Sequence, residues 1–230
     1  MNNLNYIHLN ECHSTQETLK NQWEEGKITH PYLISTSKQT NGQGRRKTPW
    51  QHFPGSLAIS FTWPLKEKIS MVPLELGVFI CEFFKERYQK NLYLKWPNDL
   101  LNQKNEKIGG IIMNLMTDIL LVGIGINMFT TKERSHFPYK HAFIFDDKFE
   151  LKEIFYTELY QYLLKRNQEF NSSIKEDWAK YCIHLNKNIT IKDEFQESKG
   201  IFLGIGEHGE ALISHNGKIE KVLSGSLFLN

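Results

Sequence analysis

The chain has 230 residues, with 28 Lys and Arg against 26 Asp and Glu and a formal charge of +2, and a sequence pI near 8.3. So mild a balance argues against a nucleic-acid or membrane-surface partner, and no apolar run approaches the length of a membrane span. Cys12, Cys81 and Cys182 are odd in number and far apart, with no C-x-x-C pair, which points to a reducing compartment and away from a structural zinc. The N-terminal stretch MNNLNYIHLN lacks both a basic and an apolar leader region, so the expected location is the cytoplasm.

The first element is a helix opening at Ser14. Ser14-Thr15-Gln16-Glu17 has capping-box spacing, Leu19 and Trp23 are four apart, and Gly26 is a stop. A short strand, Pro31 to Ser35, leads into a loop from Thr36 to Trp50. There Gly42 and Gly44 precede Arg45, Arg46 and Lys47, a flexible, donor-rich arrangement able to wrap an anion. The spacing is not that of a P-loop. Leu57, Ile59, Phe61 and Trp63 then alternate with Ala58, Ser60 and Thr62 as a half-buried strand. Pro73 suits the first turn of a helix whose apolar stripe is Leu74, Val78, Cys81, Phe84 and Tyr88, which makes Cys81 core rather than nucleophile.

Leu92 to Trp96 is the strand around which the chain is organised. Its period of two puts Lys95 opposite Leu94 and Trp96. Pro97 ends the ladder, Asn98 and Asp99 bond local backbone, a polar run to Lys107 turns the chain, and Ile108-Gly109-Gly110-Ile111-Ile112 returns as a strand. A lone lysine most often snorkels to solvent; large apolar neighbours and the glycine pair, which permits close approach, favour a functional Lys95. Ile119 to Asn127 reads as a buried strand. The pattern fades over 130–148, and His136 and His141 carry no site assignment. Helices are expected over 150–170 and from a second capping box at Ser173. After Asn186 come short strands and an Asn216-Gly217 hairpin turn, the pattern of a small β-barrel.

The string KWPNDLL from Lys95 to Leu101, followed by Lys107 and Gly110-Ile111-Ile112, resembles the signature of biotin–protein ligases. Ser14-Thr15-Gln16 is similar to the Ser-Thr-Asn that contacts the biotin head in that family. Gln39, Gly42, Gly44, Arg45 and Trp50 coincide with its loop Q-x-x-G-R-G-R-x-G-R-x-W, and GIGIN ending at Asn127 is again what the family shows. Departures are Gln16 for asparagine, Gln43 and Thr48 for two arginines, and Lys47 for a glycine.

The resemblance implies an α+β fold. A mixed β-sheet ligase domain of class II synthetase type, with helices on one side, would occupy 1–185, and a small SH3-like C-terminal barrel 186–230. It implies two steps, adenylation of biotin by magnesium-bound ATP and transfer to a lysine of a biotin carboxyl carrier domain. Lys95 and Arg45 are the implied catalytic pair. The implied biotin-binding residues are Ser14, Thr15, Gln16, Gln39, Gly42, Gln43, Gly44, Arg45, Lys95 and Gly110; those for ATP or adenylate are Arg45, Arg46, Trp50, Asn98, Lys107 and Asn127. No resident metal site is implied. The family's DNA-binding helix-turn-helix has no room before Ser14, so no repressor role is expected. The loop 40–48 is expected to order only with ligand, and exposed sheet edges leave a homodimer open. Three rivals stand beside this reading: a lipoate ligase or octanoyltransferase, a degenerate ligase that holds biotin without chemistry, and an RNA-binding barrel using the Arg45–Lys47 cluster.

Overall fold

The computed structural model describes residues 4–129, 142–145, 149–170, 174–193 and 196–229. His136, His141 and Ser173 lie outside the described residues. In chain order the elements are β1 (Asn5–Leu9), α1 (Thr15–Glu24), β2 (Tyr32–Thr36), β3 (Gly42–Gln43), β4 (Pro49–Trp50), β5 (Ser56–Trp63), α2 (Val72–Tyr88), β6 (Tyr93–Lys95), β7 (Asp99–Leu101), β8 (Lys107–Leu115), β9 (Leu120–Asn127), α3 (Glu153–Glu169), α4 (Ile174–Tyr181), β10 (Asn188–Lys192), β11 (Glu197–Ile205), β12 (Ala211–His215), β13 (Lys218–Val222) and β14 (Ser226–Leu229). They fall into two compact units, Met1–Lys66 with Glu106–Gln168, and Glu67–Asn105 with Glu169–Asn230. Each unit is discontinuous in sequence. The C-terminal strands share theirs with α2 and the Lys95 hairpin. Among the described residues, no helix is long and apolar enough to cross a membrane.

The first unit is built on five strands in the order β1-β2-β5-β9-β8. β1 and β2 are parallel, a connection that needs a crossover, which α1 supplies; the other pairs are antiparallel. The sheet's two faces differ because the strands alternate. One face carries Leu33, Phe61 and Val122 in one row and Ile59, Ile124 and Ile111 in another. α3 covers it: the Tyr160 ring lies 4.6 Å from Phe61, and its hydroxyl donates to the Thr62 carbonyl at 2.6 Å. The opposite face carries Ala58, Gly125 and Gly110 in one row and Ser60, Gly123 and Ile112 in the next. α1 packs here, with Leu19 fully buried among Ile28, Ile34, Ile119 and Leu121, a burial that contributes about 2 kcal/mol.

Two expectations are corrected by this packing. Helices cover both faces of the sheet, not one. β5 is buried along its whole length rather than half-buried, because its small, polar face lies under α1 instead of water.

In the second unit α2 has Pro73 in its first turn and ends at Gln89 in the left-handed region, φ 53°. Leu76, Phe79, Ile80 and Phe83 are buried along with Leu74, Val78, Cys81 and Phe84 of the expected stripe, while Tyr88 is half-buried, so the helix is enclosed nearly all round up to its last turn. Gly77 makes room for Leu94: a Cβ there would lie 3.0 Å from Leu94 Cδ2. β6 pairs with β7 as Tyr93↔Leu101, Leu94↔Leu100 and Lys95↔Asp99. The chain therefore turns within Trp96–Asn98, and Asp99 is already strand; reading Asn98-Asp99 together as turn formers placed the return too late. The C-terminal sheet is antiparallel, in the linear order β13-β12-β11-β10-β14. Asn216 at φ 48° and Gly217 at φ 75° make its type I′ turn as expected.

Candidate functional site

The small-residue face of the first sheet builds a trough beneath the start of α1. Ser14, buried and extended at φ −153°, caps α1 by accepting from the Glu17 N–H. That cap aims the next two side chains at the sheet. Thr15 donates through its backbone N–H to Gln39 Oε1 at 2.8 Å, and its hydroxyl stands 3.1 Å from the same oxygen and 2.9 Å from Ser60 Oγ. Gln16 reaches further, donating from Nε2 to Asn114 Oδ1 at 2.9 Å and to the Leu121 carbonyl at 2.8 Å.

Those two bonds use both amide hydrogens and leave Gln16 Oε1 as an acceptor. It is buried and, among the described residues, has no hydrogen-bond partner. The absent side chain of Gly123 makes its space, since a Cβ there would lie 2.8 Å from this oxygen. Trp50 occupies the neighbouring row. Its ring lies where a Gly125 side chain would start, 2.6 Å from that Cβ position, and its indole nitrogen is likewise buried without a partner among the described residues. A buried acceptor and a buried donor left unpaired on one glycine-floored face cost stability unless something supplies their partners.

The loop above is short and self-closed. Gly42 pairs with Trp50 and Gln43 with Pro49; a Cβ at Gly42 would strike the Trp50 carbonyl at 2.8 Å and Gln39 Nε2 at 2.9 Å. Gly44 N–H donates to the Thr48 carbonyl at 2.7 Å, and the Thr48 N–H and hydroxyl both donate to the Arg45 carbonyl at 3.0 and 2.8 Å. Arg46 and Lys47 sit at φ 52° and 59°, a left-handed pair that these bonds sustain. These bonds give 44–48 a defined turn, fastened by Thr48. Arg45 is half-buried and interacts with neighbouring groups. Arg46, Lys47 and Gln43 are exposed.

The remaining expected positions divide. Gly110 pairs with Gly125 in the trough row. Lys107 is exposed at the start of β8. Asn127 is pinned by structure: its Oδ1 accepts from Ser56 Oγ at 3.2 Å and its Nδ2 donates to the Ala142 carbonyl at 3.3 Å. In the second unit Lys95 Nζ is 3.5 Å from Asp99 Oδ2, both side chains partly exposed, and Asn98 is half-buried in the turn between them. Cys81 is fully buried, and burial pushes its thiol well up. Burial likewise pushes Cys182 up to about 12. Neither thiol suits nucleophilic work. Ser60, Asn114, Gly123 and Gly125 were missed as site positions. The signal for Ser60, Gly123 and Gly125 was present in the alternation of small residues along β5 and β9; Asn114, on β8, had none.

A model of the biotin/lipoate A/B protein ligase family matches residues 10–128, more than half of the chain. The chain belongs to that family. The bifunctional ligase/repressor BirA of Escherichia coli is 26% identical over 206 residues, covering 83% of this chain and 64% of its own length. The Bacillus subtilis protein of the same name is 25% identical over 217 residues, covering 86% and 66%. This chain thus spans less than two thirds of either curated relative. Among solved structures, the biotin protein ligase of Aquifex aeolicus in complex with biotin and ATP superposes with a TM-score of 0.81 at 29% identity, over 98% of this chain and 99% of that one. The biotin acetyl coenzyme A carboxylase synthetase of Helicobacter pylori, with bound biotinylated ATP, shares the fold with a TM-score of 0.73 at 24% identity.

Proposed function

We propose that this chain is an ATP-dependent biotin–protein ligase that forms biotinyl-adenylate and passes biotin to a lysine of a biotin carboxyl carrier domain. The observation that carries biotin over lipoate or octanoate is Gln16 Oε1, a fixed, buried acceptor over Gly123. A ureido ring offers N–H groups to such an atom, whereas a dithiolane or an alkyl end offers none. A polar site of this kind rejects a ligand that leaves it unpaired far more strongly than an apolar pocket rejects a misfit. Ser14, Thr15, Gln39, Gly42 and Gly110 are proposed to complete the biotin site. An octanoyltransferase would need a reactive cysteine, and the fully buried Cys81 is unsuited.

In the first step the biotin carboxylate oxygen attacks the α-phosphorus of ATP, the bond to the β-phosphate bridge breaks, and pyrophosphate leaves. Magnesium enters with the nucleotide, since it dehydrates reluctantly and is usually held through phosphates. Lys95 is proposed to lower the repulsion between the two anions and to stabilise charge gathering at phosphorus. Arg45 is proposed to hold the adenylate, with Arg46, Trp50, Asn98, Lys107 and Asn127 around the nucleotide. In the second step the acceptor lysine amine attacks the acyl carbon and AMP departs. The free cysteines Cys12, Cys81 and Cys182 favour a reducing compartment such as the cytoplasm.

The test is pyrophosphate release from ATP and magnesium by the purified chain, with biotin, lipoate and octanoate as parallel substrates. Release with biotin alone is expected. Release with lipoate or octanoate instead would overturn the choice of substrate. Biotin binding without release would point to a chain that has kept recognition and lost chemistry, a reading that Gln43 and Thr48 in place of arginines would then explain.

A further inference from the structure

The strand that carries Lys95 is fixed by residues far from it in sequence. Trp96, 1% exposed, donates its indole N–H to the Gly209 carbonyl at 2.9 Å. Gly209 lies at the tip of the β11–β12 hairpin, at φ +79°, where a Cβ would lie 2.9 Å from Leu74 Cδ1 and 3.2 Å from both Met71 Sδ and the Ser70 carbonyl. Only a glycine lets the tip sit so close to the start of α2. The tip is then tied down on both sides of that residue. Ser70 Oγ donates to the His208 carbonyl at 2.6 Å, Glu210 Oε2 accepts from the His208 N–H at 2.8 Å, and Glu207 pairs with Lys68 and with Lys175.

We infer that this hairpin tip, His208–Gly209, is a positioning element for Lys95, acting through the Trp96 indole. The inference rests on the role proposed above for Lys95. β6 is only three residues long, and Trp96 is the first residue beyond it. Leu94 is packed against Gly77, and its carbonyl accepts from the Ile183 N–H at 3.4 Å. Lys95 stands between these two anchored neighbours, so the direction of its ammonium depends on both. The Trp96 bond is the anchor on the side of the turn, and without it the turn is free to shift. A displacement of about 1 Å at a reacting group is enough to cost on the order of 100-fold in rate.

The experiment compares Trp96→Phe, which removes the donor and keeps an aromatic ring, with Ile213→Val, a buried change in β12 away from the tip. Pyrophosphate release at saturating biotin and ATP, biotin affinity by calorimetry and the urea midpoint are measured for each. Trp96→Phe is expected to slow adenylation by about tenfold or more while biotin affinity changes no more than about threefold. Ile213→Val is expected to lower the urea midpoint and leave the rate within about twofold. In a Lys95→Arg background the Trp96→Phe effect is expected to shrink to under about threefold, since one residue acts through the other. Ser70→Ala, which loosens the tip without touching Trp96, is expected to slow adenylation in the same direction and serves if Trp96→Phe does not fold. Equal rates for Trp96→Phe and Ile213→Val, or an undiminished Trp96→Phe effect in the Lys95→Arg background, would overturn the inference. Undiminished adenylation by Lys95→Ala would sink the parent reading of Lys95 instead.

Discussion

The molecule holds its two cationic turns in opposite ways. The Arg45 turn is fastened within five residues, by Gly44, Arg45 and Thr48 bonding one another, and its side chains at 46 and 47 point into solvent. The Lys95 turn is fastened from 113 residues away by the Gly209 carbonyl, around a buried tryptophan. A turn held by its own backbone tolerates exchange of its side chains, because few of them carry its shape. A turn held by distant groups does not. Of the departures from the biotin–protein ligase pattern, Gln16 lies on α1 and those at 43, 47 and 48 fall in the first turn, while the second keeps KWPNDLL.

The comparison is tested most severely at its distant end. Lys95→Ala is expected to reduce biotin-dependent pyrophosphate release by about 100-fold or more, the scale of removing one preorganised charge from a transition state; near wild-type release would end its catalytic assignment. Gly209→Ala comes next. A side chain there meets Leu74 and the Ser70 carbonyl and must adopt a positive φ, so a loss of about 2–3 kcal/mol of stability is expected in urea unfolding. A value near zero would mean that the tip is not held as described.

His184 sharpens the same region through pH. It is fully buried between Trp178 and Phe202, with neither ring nitrogen partnered among the described residues. Burial, with the charges of Lys95 and Lys187, holds its imidazole down to about 3 from an ordinary 6.5. Between those values the unfolded chain takes a proton that the folded one refuses, so stability falls as pH drops below 6.5, by roughly 1.4 kcal/mol per unit. His184→Leu is expected to flatten the decline in urea midpoint between pH 7 and pH 5; an unchanged slope would assign the acid sensitivity elsewhere. Thr48→Ala has the smallest effect. Losing the 2.8 Å bond to the Arg45 carbonyl is expected to cost about 1 kcal/mol locally, with faster trypsin cleavage at Arg45–Lys47 and little change in global unfolding. Cleavage no faster than in the parent would show that Thr48 is not the fastening.

Much of this was legible in the residues themselves, where the information is local. The capping box placed the start of α1 and aimed Thr15 and Gln16, and the Asn216-Gly217 pair gave its hairpin. Cys81 could be put in the core by its position on α2. What could not be read is what depends on partners distant in sequence. β5 looks half-buried because Ser60 and Thr62 are polar, yet Thr15 and α1 cover them. Asp99 looks like a turn residue until Lys95 is seen opposite it. Asn127 could be placed near a ligand by resemblance; its bonds to Ser56 and to Ala142, the latter in a stretch with no periodic signal, could not be read. The orphan oxygen of Gln16 needed Gly123 to be found directly beneath it.

The discontinuity of the second unit also bears on the order in which the protein is made. Its first segment, Glu67–Asn105, leaves the ribosome well before the hairpin that fastens it, which belongs to Glu169–Asn230. During translation the Lys95 strand must therefore wait for more than a hundred residues, and contacts so far apart in the chain form slowly even after release. The group proposed to drive adenylation is among the last to be set in place, and pulse-labelled exchange during refolding is expected to show the Trp96 indole protected after the amides of α1. A chain stopped before β11 would lack what holds its lysine.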